Sequence, residues 1–408
     1  MSADQKTFIS FSPPFIGEEE ITEVIDTLRS DWITTGPKVK RFEAEFSGFT
    51  GAPAALAVSS GTDAMLVGLA ALGVGPSDEV ITTPMTFCST VHVIEHLGAR
   101  PVLVDVEPDT LNINPELISR AITPRTRAIM PVHLYGHPCE MDSVMEVARQ
   151  HSLFAVEDAA HALPARYKGH MIGTIGTLTA FSFYATKNLT TAEGGMLTGD
   201  SHLIEPARLW SLHGMSRDAY KRYSQEGSWR YEVVLPGFKC NMTDIQASLG
   251  LHQLRKLPAF QARRHEVVRA YNAAFRDLPE LELPVERPEV ESAWHLYVVR
   301  LNLHRLAIDR ARFIEELKNR NIGTSVHFIP IHLHPYYRDK YGYRAEDFPV
   351  AYENYQRIVS LPLHPRLSEQ DVARIIAAVK EDVAIFRQKN FAGAALRGES
   401  EERYPEGR

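Results

Sequence analysis

Between residues 54 and 199, short apolar runs recur, each ending in a polar or glycine-rich turn, and helix-like segments separate most of them. The runs AALAVSS, EVITTP, PVLVDV, RAIMPVHLY, LFAVEDAA, LTAFSFYATK and GMLTG have the length and turn-bounded edges of buried strands. Strands joined through helices pair in parallel and have both faces covered. The pattern therefore predicts an α/β fold with a large, mainly parallel sheet of the seven-stranded type. In such sheets ligands collect beyond the carboxyl ends of the strands, so the loops after each run are where chemistry is expected.

Helices are expected at 17–30, 38–50, 62–72, 87–97 and 140–151. After about residue 250 the character changes. A charged helix, LRKLPAFQARRHEVVRAYNAAFRDL, is started or interrupted by Pro258, and a Pro- and Glu-rich connector follows at 279–292. WHLYVVRLN and IGTSVHFIP read as strands, with RARFIEELKNR as a helix between them and SEQDVARIIAAVKEDVAIF as the closing helix. The organisation predicted is a large α/β domain over 1–250, a smaller α+β domain over 251–390, and a polar, disordered tail over 391–408. A net charge of −7 and the lack of a basic run argue against a nucleic-acid partner. The three cysteines, Cys88, Cys139 and Cys240, lie far apart, which suits a reducing compartment. No run reaches the roughly 20 apolar residues of a membrane span. With no basic-then-apolar start to suggest a signal peptide, a cytoplasmic location is expected.

Three loops carry candidate chemistry. In VSSGTDAM a strand ends at Ser59-Ser60, Gly61 permits a tight turn and Thr62 begins a helix, whose free N–H groups suit a phosphate. A capped helix with no ligand fits the same residues. GVGPSD at 73–78 is a poor GxGxxG, with Asp78 in place of the last glycine, so a dinucleotide is disfavoured. In LFAVEDAAHALPA, Asp158 ends a strand with His161 three residues on. That carboxylate suits a metal, a general base or a partner for a cationic ligand nitrogen. An N-cap with a core histidine is the plainer alternative. In FSFYATKNLTTAEGGM, Lys187 closes an apolar run five residues after Ser182, and strand alternation would set both around one pocket. A lysine held near apolar surface has its pKa lowered and becomes nucleophilic.

A phosphate cradle, a carboxylate and a reactive lysine in this order fit pyridoxal 5′-phosphate, with Phe87 of TTPMTFCST placed to lie on its ring. The chain also resembles the DegT/DnrJ/StrS family of sugar aminotransferases. The resemblance runs from DWITTGPKVKRFE through SSGTDAM, TPMTF, PVHLYG, EDAAHA, FSFYATKN, EGGM and NMTDIQASLG to WHLYVVRL and VHFIPIHLHPYY. It implies a fold-type-I aminotransferase in which Lys187 carries the cofactor as a Schiff base and shuttles the proton. Asp158 would keep the pyridine nitrogen protonated, and Phe87 would stack on the ring. His161 would order the cofactor, and Gly61, Thr62 and Ser182 would hold its phosphate. Asn241 would reach the phosphate from the neighbouring subunit of a homodimer. Thr34, Gly36 and His327 would face the substrate. Cys240 stands where relatives often carry tyrosine.

L-glutamate is the implied donor. The implied acceptor is a nucleotide-linked keto-sugar, aminated at C4 of a 4-keto-hexose for a surface glycan or deoxyaminosugar. Basic residues between Leu212 and Lys239, Arg230 among them, are expected near the nucleotide diphosphate or else as a solvated loop. Related enzymes aminate C3 or keto-inositols, and dehydratases of the group carry histidine in place of the lysine. A non-catalytic regulator of the same fold is a further alternative. A metal at His327, His332 and His334 would need 332 and 334 on one strand face and has no carboxylate spaced to complete it.

Overall fold

The computed structural model describes residues 7–215 and 231–388. Its centre is a seven-stranded sheet of β1 (Ala54–Val58), β2 (Glu79–Thr82), β3 (Arg100–Leu103), β4 (Thr126–Ile129), β5 (Phe154–Asp158), β8 (Leu178–Ser182) and β9 (Gly195–Gly199). The intervening β6 (Arg166–Tyr167) and β7 (His170–Met171) form a small separate sheet with Val290–Glu291. The main order is β1-β9-β8-β5-β4-β2-β3, and only β9 runs against its neighbours. One face is covered by α3 (Gly61–Ala71), α4 (Ser89–His96) and α7 (Ser201–Ser211), whose residues join the apolar cluster around Val67, Ile94 and Ala207. The opposite face buries Phe42, Phe46, Phe181 and Phe183 with α2 (Pro37–Thr50), α6 (Met141–Gln150) and the first half of α8 (Asp244–Phe275).

Several predicted elements are shorter or placed differently. The strand expected to run to Lys187 stops at Ser182, because β9 begins at Gly195 and leaves nothing to pair with beyond it. The chain turns instead, with the Lys187 N–H donating to the Tyr184 carbonyl at 2.9 Å. The helix expected from residue 254 starts at Asp244, where Thr243 and Gln246 form a capping box, and it passes Pro258 without ending. Residues 250 and 251 therefore lie within one continuous helix. Val267, Val268, Tyr271 and Phe275 on its later turns belong to a second core with Tyr297, Phe313 and Val379. Ile9, from the start of the chain, also packs there and bridges to Ile322. IGTSVHFIP is not a strand. It touches Ser360 through reciprocal bonds of Ser325, at 2.8 and 3.2 Å, and contains a cis peptide between His327 and Phe328. His332 lies in a 3₁₀ turn (Ile331–Leu333) and His334 precedes the next helix, so they share no strand face. Among the described residues no His, Cys, Asp and Glu group could hold a metal.

The start of α2 is fixed by one buried carboxylate. Asp244 Oδ1 accepts from the N–H groups of Gly36 and Val39 at 2.8 and 2.9 Å, and Oδ2 accepts from that of Lys38 at 3.1 Å. These are the orphan donors of the first turn of α2, capped from another helix. Asp244→Ala should lower the unfolding free energy by roughly 2–4 kcal/mol, the scale of losing charge-assisted cap bonds in a buried site. Urea denaturation checks this, with Asp244→Asn expected to lose less because one acceptor remains.

Candidate active site

The carboxyl ends of β1, β5 and β8 open on a pocket of about 500 Å³. Beyond β1, Ser60 caps α3, its Oγ accepting from the Asp63 N–H at 3.0 Å. The Ser59 and Ser60 hydroxyls donate to Asp63 Oδ2 at 2.6 and 2.8 Å, which keeps that carboxylate occupied away from the pocket lining. Gly61 and Thr62 follow at the first helical positions, where N–H groups have no intrahelical acceptor. A Cβ on Gly61 would lie 2.7 Å from the Ser182 Cβ, and one on Gly195 would lie 2.3 Å from the Ser60 carbonyl oxygen. The two glycines let the start of α3 dock onto β8 and β9, which sets the Ser182 and Thr62 hydroxyls on one wall.

Asp158, the last residue of β5, is almost fully buried. Its Oδ2 accepts from the Thr90 hydroxyl at 2.7 Å and its Oδ1 from the Ala160 N–H at 3.1 Å. Thr90 spends its proton on Asp158, so the 2.7 Å contact between the Thr86 and Thr90 hydroxyls has Thr86 as donor. Lys187 sits on the turn after β8. Burial brings its pKa down to about 8, and the Asp158 charge partly opposes that shift. Among the described residues its amine has no hydrogen-bond or ion-pair partner, so it is free to react.

His161, His295 and His327 line the same pocket, and burial holds all three neutral, His327 at about 4. The Tyr135 N–H donates to His161 Nδ1 at 3.3 Å, so the His161 proton sits on Nε2. Asn188, next to the lysine, donates to the Leu163 and Ala293 carbonyls at 3.0 and 2.8 Å. Its Oδ1 therefore accepts from His295 Nδ1 at 3.2 Å. The His161 ring lies between His295, 4.4 Å away, and Phe328, stacked at 5.8 Å. Phe87 stands exposed at the rim, its ring 5.8 Å from that of Phe328. His327 accepts at its carbonyl from the Tyr135 hydroxyl, and its Nδ1 meets Ser360 Oγ at 2.8 Å.

Gly61, Thr62, Phe87, Asp158, His161, Ser182, Lys187 and His327 are thus gathered around one pocket. Ser182 and Lys187 meet there through the turn, not through strand alternation. Thr34, Gly36 and Asn241 are outside its lining and form a group of their own. Asn241 donates to Thr35 Oγ1 at 2.6 Å, and Gly36 has no room for a side chain beneath Trp32. Arg230 lies outside the described residues. Sequence reasoning missed Thr90, Glu193, His295 and Phe328. Each sits within a motif already noted, but only the tertiary fold brings them to the pocket.

The donor set suits pyridoxal phosphate: free helix-start N–H groups with two hydroxyls for the phosphate, a strand-end carboxylate for a ring nitrogen and an unpaired amine for the aldehyde. Fold and site together define a PLP-dependent transaminase of fold type I. The chain belongs to the DegT/DnrJ/EryC1/StrS aminotransferase family, whose model matches residues 14–380. It is 52% identical over 378 residues to the spore coat polysaccharide biosynthesis protein SpsC of Bacillus subtilis, covering 92% of this chain and 97% of SpsC. Spr1654 of Streptococcus pneumoniae in its PLP form superposes with a TM-score of 0.87 at 38% identity, covering 93% of this chain and 99% of that one. PseC of Helicobacter pylori, an aminotransferase involved in the biosynthesis of pseudoaminic acid, gives 0.84 at 30% identity, with 93% and 100% covered.

With an amine pKa of about 8, labelling of Lys187 in cofactor-free protein should rise through a midpoint near pH 8, read by peptide mass after pulsed reductive methylation. Asp158→Asn removes the charge that favours the ammonium form, so its midpoint should fall below that of the wild type. An unchanged or higher midpoint would contradict the electrostatic account.

Proposed function

We propose that the enzyme moves an amino group from L-glutamate to C4 of a nucleotide-linked 4-keto-hexose destined for a surface glycan. The observation that carries this reading is the unpaired, desolvated Lys187 amine sharing a pocket with Asp158 and the start of α3. The roles of SpsC in polysaccharide and PseC in pseudoaminic acid biosynthesis support a glycan acceptor. Bound pyridoxal phosphate supplies an electron sink that stabilises negative charge on the carbon losing a proton.

The chain's own residues do the rest. Gly61 and Thr62 N–H groups with the Thr62 and Ser182 hydroxyls hold the phosphate. Asp158, fixed by Thr90 and Ala160, would hold a proton on the ring nitrogen. Lys187 Nζ carries the cofactor at rest. That amine, when free, would act as the base that takes the proton from the donor's reacting carbon and, once protonated, as the acid that delivers a proton to the acceptor's reacting carbon, work that suits a pKa of about 8. His161, with its proton on Nε2, and Phe87 at the rim would help to hold the bound group.

Glutamate should convert the yellow cofactor-loaded protein to the shorter-wavelength amine form, and a nucleotide 4-keto-sugar should restore the yellow band. Lys187→Ala should abolish turnover. Substantial turnover by that variant without added amines would defeat the reading, as would a band that glutamate leaves unmoved.

In this reading Asn241 serves the pocket of a partner subunit, since in its own chain it lies outside the lining. Two variants, Lys187→Ala and Asn241→Ala, should each be impaired alone. Their mixed dimers should regain activity, because one of the two sites then has both residues. If verified mixed dimers show no gain, Asn241 acts within its own chain or not at all.

A further inference from the structure

Glu193 has no part in the chemistry above, yet it lines the pocket on the turn that leads into β9. Its backbone is clamped. The Glu193 carbonyl accepts from the Thr191 hydroxyl at 2.7 Å and from Gln246 Nε2 at 2.9 Å. Ala192 before it has φ +67°, held by an N–H bond to Thr190 Oγ1 at 3.0 Å. A Cβ on Gly194 after it would fall 2.1 Å from Thr191 Oγ1. A left-handed alanine and a glycine with no room for a side chain are a costly way to build a loop, and they fix where the Glu193 side chain starts. Among the described residues its carboxylate has no hydrogen-bond or ion-pair partner. Tyr184 and Thr186, on the turn that carries Lys187, line the same pocket with hydroxyls that have no hydrogen-bond partner among the described residues.

An unpaired carboxylate on a fixed backbone position repels anions and accepts hydrogen bonds from hydroxyl groups. Glutamate's carboxylates and a nucleotide diphosphate are both disfavoured against it, whereas a hydroxylated sugar ring is favoured. We infer that Glu193 is a specificity-determining residue that accepts hydrogen bonds from hydroxyl groups of the acceptor sugar. The diphosphate of that ligand points away from it. The inference rests on the keto-sugar reading given above.

The two half-reactions of the holoenzyme separate the possibilities. Glu193→Ala should lower kcat/KM for the keto-sugar by roughly 10- to 100-fold, the range for losing hydrogen bonds to a charged acceptor. The rate of cofactor conversion by glutamate should stay within twofold. Calorimetric binding of the nucleotide-linked amino-sugar product should weaken by a similar factor. Glu193→Gln keeps one acceptor oxygen and should fall between wild type and alanine. The position is exposed, and an unchanged melting temperature verifies folding. If the alanine variant uses the sugar within twofold of wild type, or slows the glutamate step equally, Glu193 does not read the acceptor. If wild type itself transfers to no member of a keto-sugar panel, the keto-sugar reading fails and this inference falls with it.

Discussion

Taking the Lys187 side chain out of water, onto the wall between β5 and β8, disfavours its ammonium form and brings its pKa to about 8. A drop of that size from 10.5 corresponds to roughly 3 kcal/mol set against the buried cation. The fold has to supply that from packing elsewhere, and it does so directly beneath the lysine. Phe181 and Phe183, on either side of Ser182, are fully buried against Phe42 and Phe46 with ring centroids 5.2 to 5.6 Å apart. Asn188, on the other flank, is tied to two carbonyls from separate segments. These anchors hold the backbone of the turn that carries the amine.

Charge is kept scarce around that amine. Three histidines share the pocket, and any one of them as a cation would drive the proton from Lys187 and compete for Asp158. Burial holds them neutral, and Tyr135 and Asn188 select the tautomers of His161 and His295. Asp158 is left as the anion at the floor, with Thr90 and Ala160 leaving it further lone pairs for a ligand. A carboxylate with those lone pairs directed at a cationic ring nitrogen needs no reorganisation when the ring arrives, the condition for electrostatic stabilisation.

The sheet and the floor of the site were readable from the chain because both depend on short-range patterns. A parallel strand buried on two faces is an apolar run, and its functional residue comes within a few positions of its end. Asp158, Lys187, Gly61 and Ser182 all obey that rule. What could not be read depends on pairing across the fold. Nothing near Ser182 announces that β8 ends there, since the cause is the late start of β9 at Gly195. His295 enters the pocket only because Ala293 and Leu296 bond to Gly136 and Tyr135, more than a hundred residues away. Thr34, Gly36 and Asn241 were recognisable by family resemblance alone, and the single chain gathers them around Asp244 and Thr35 instead of the pocket.

In the proposed reaction one pocket receives two ligands in turn, a small dicarboxylic amino acid and a large nucleotide-linked sugar. Their common feature is the reacting carbon, so the groups that serve both belong at the floor. There Asp158 and the neutral histidines are held by hydrogen bonds and stacking around a Lys187 amine that has no hydrogen-bond partner among the described residues. Discrimination between the two must then come from the rim, where the ligands differ. The rim is built differently, with Tyr184 and Glu193 exposed on turns and their side-chain polar groups without hydrogen-bond partners among the described residues. On that proposal, changing such side chains would alter which sugar is accepted while the amine, its charge environment and the phosphate cradle stay as they are. Such a separation would let one chemistry serve different acceptors.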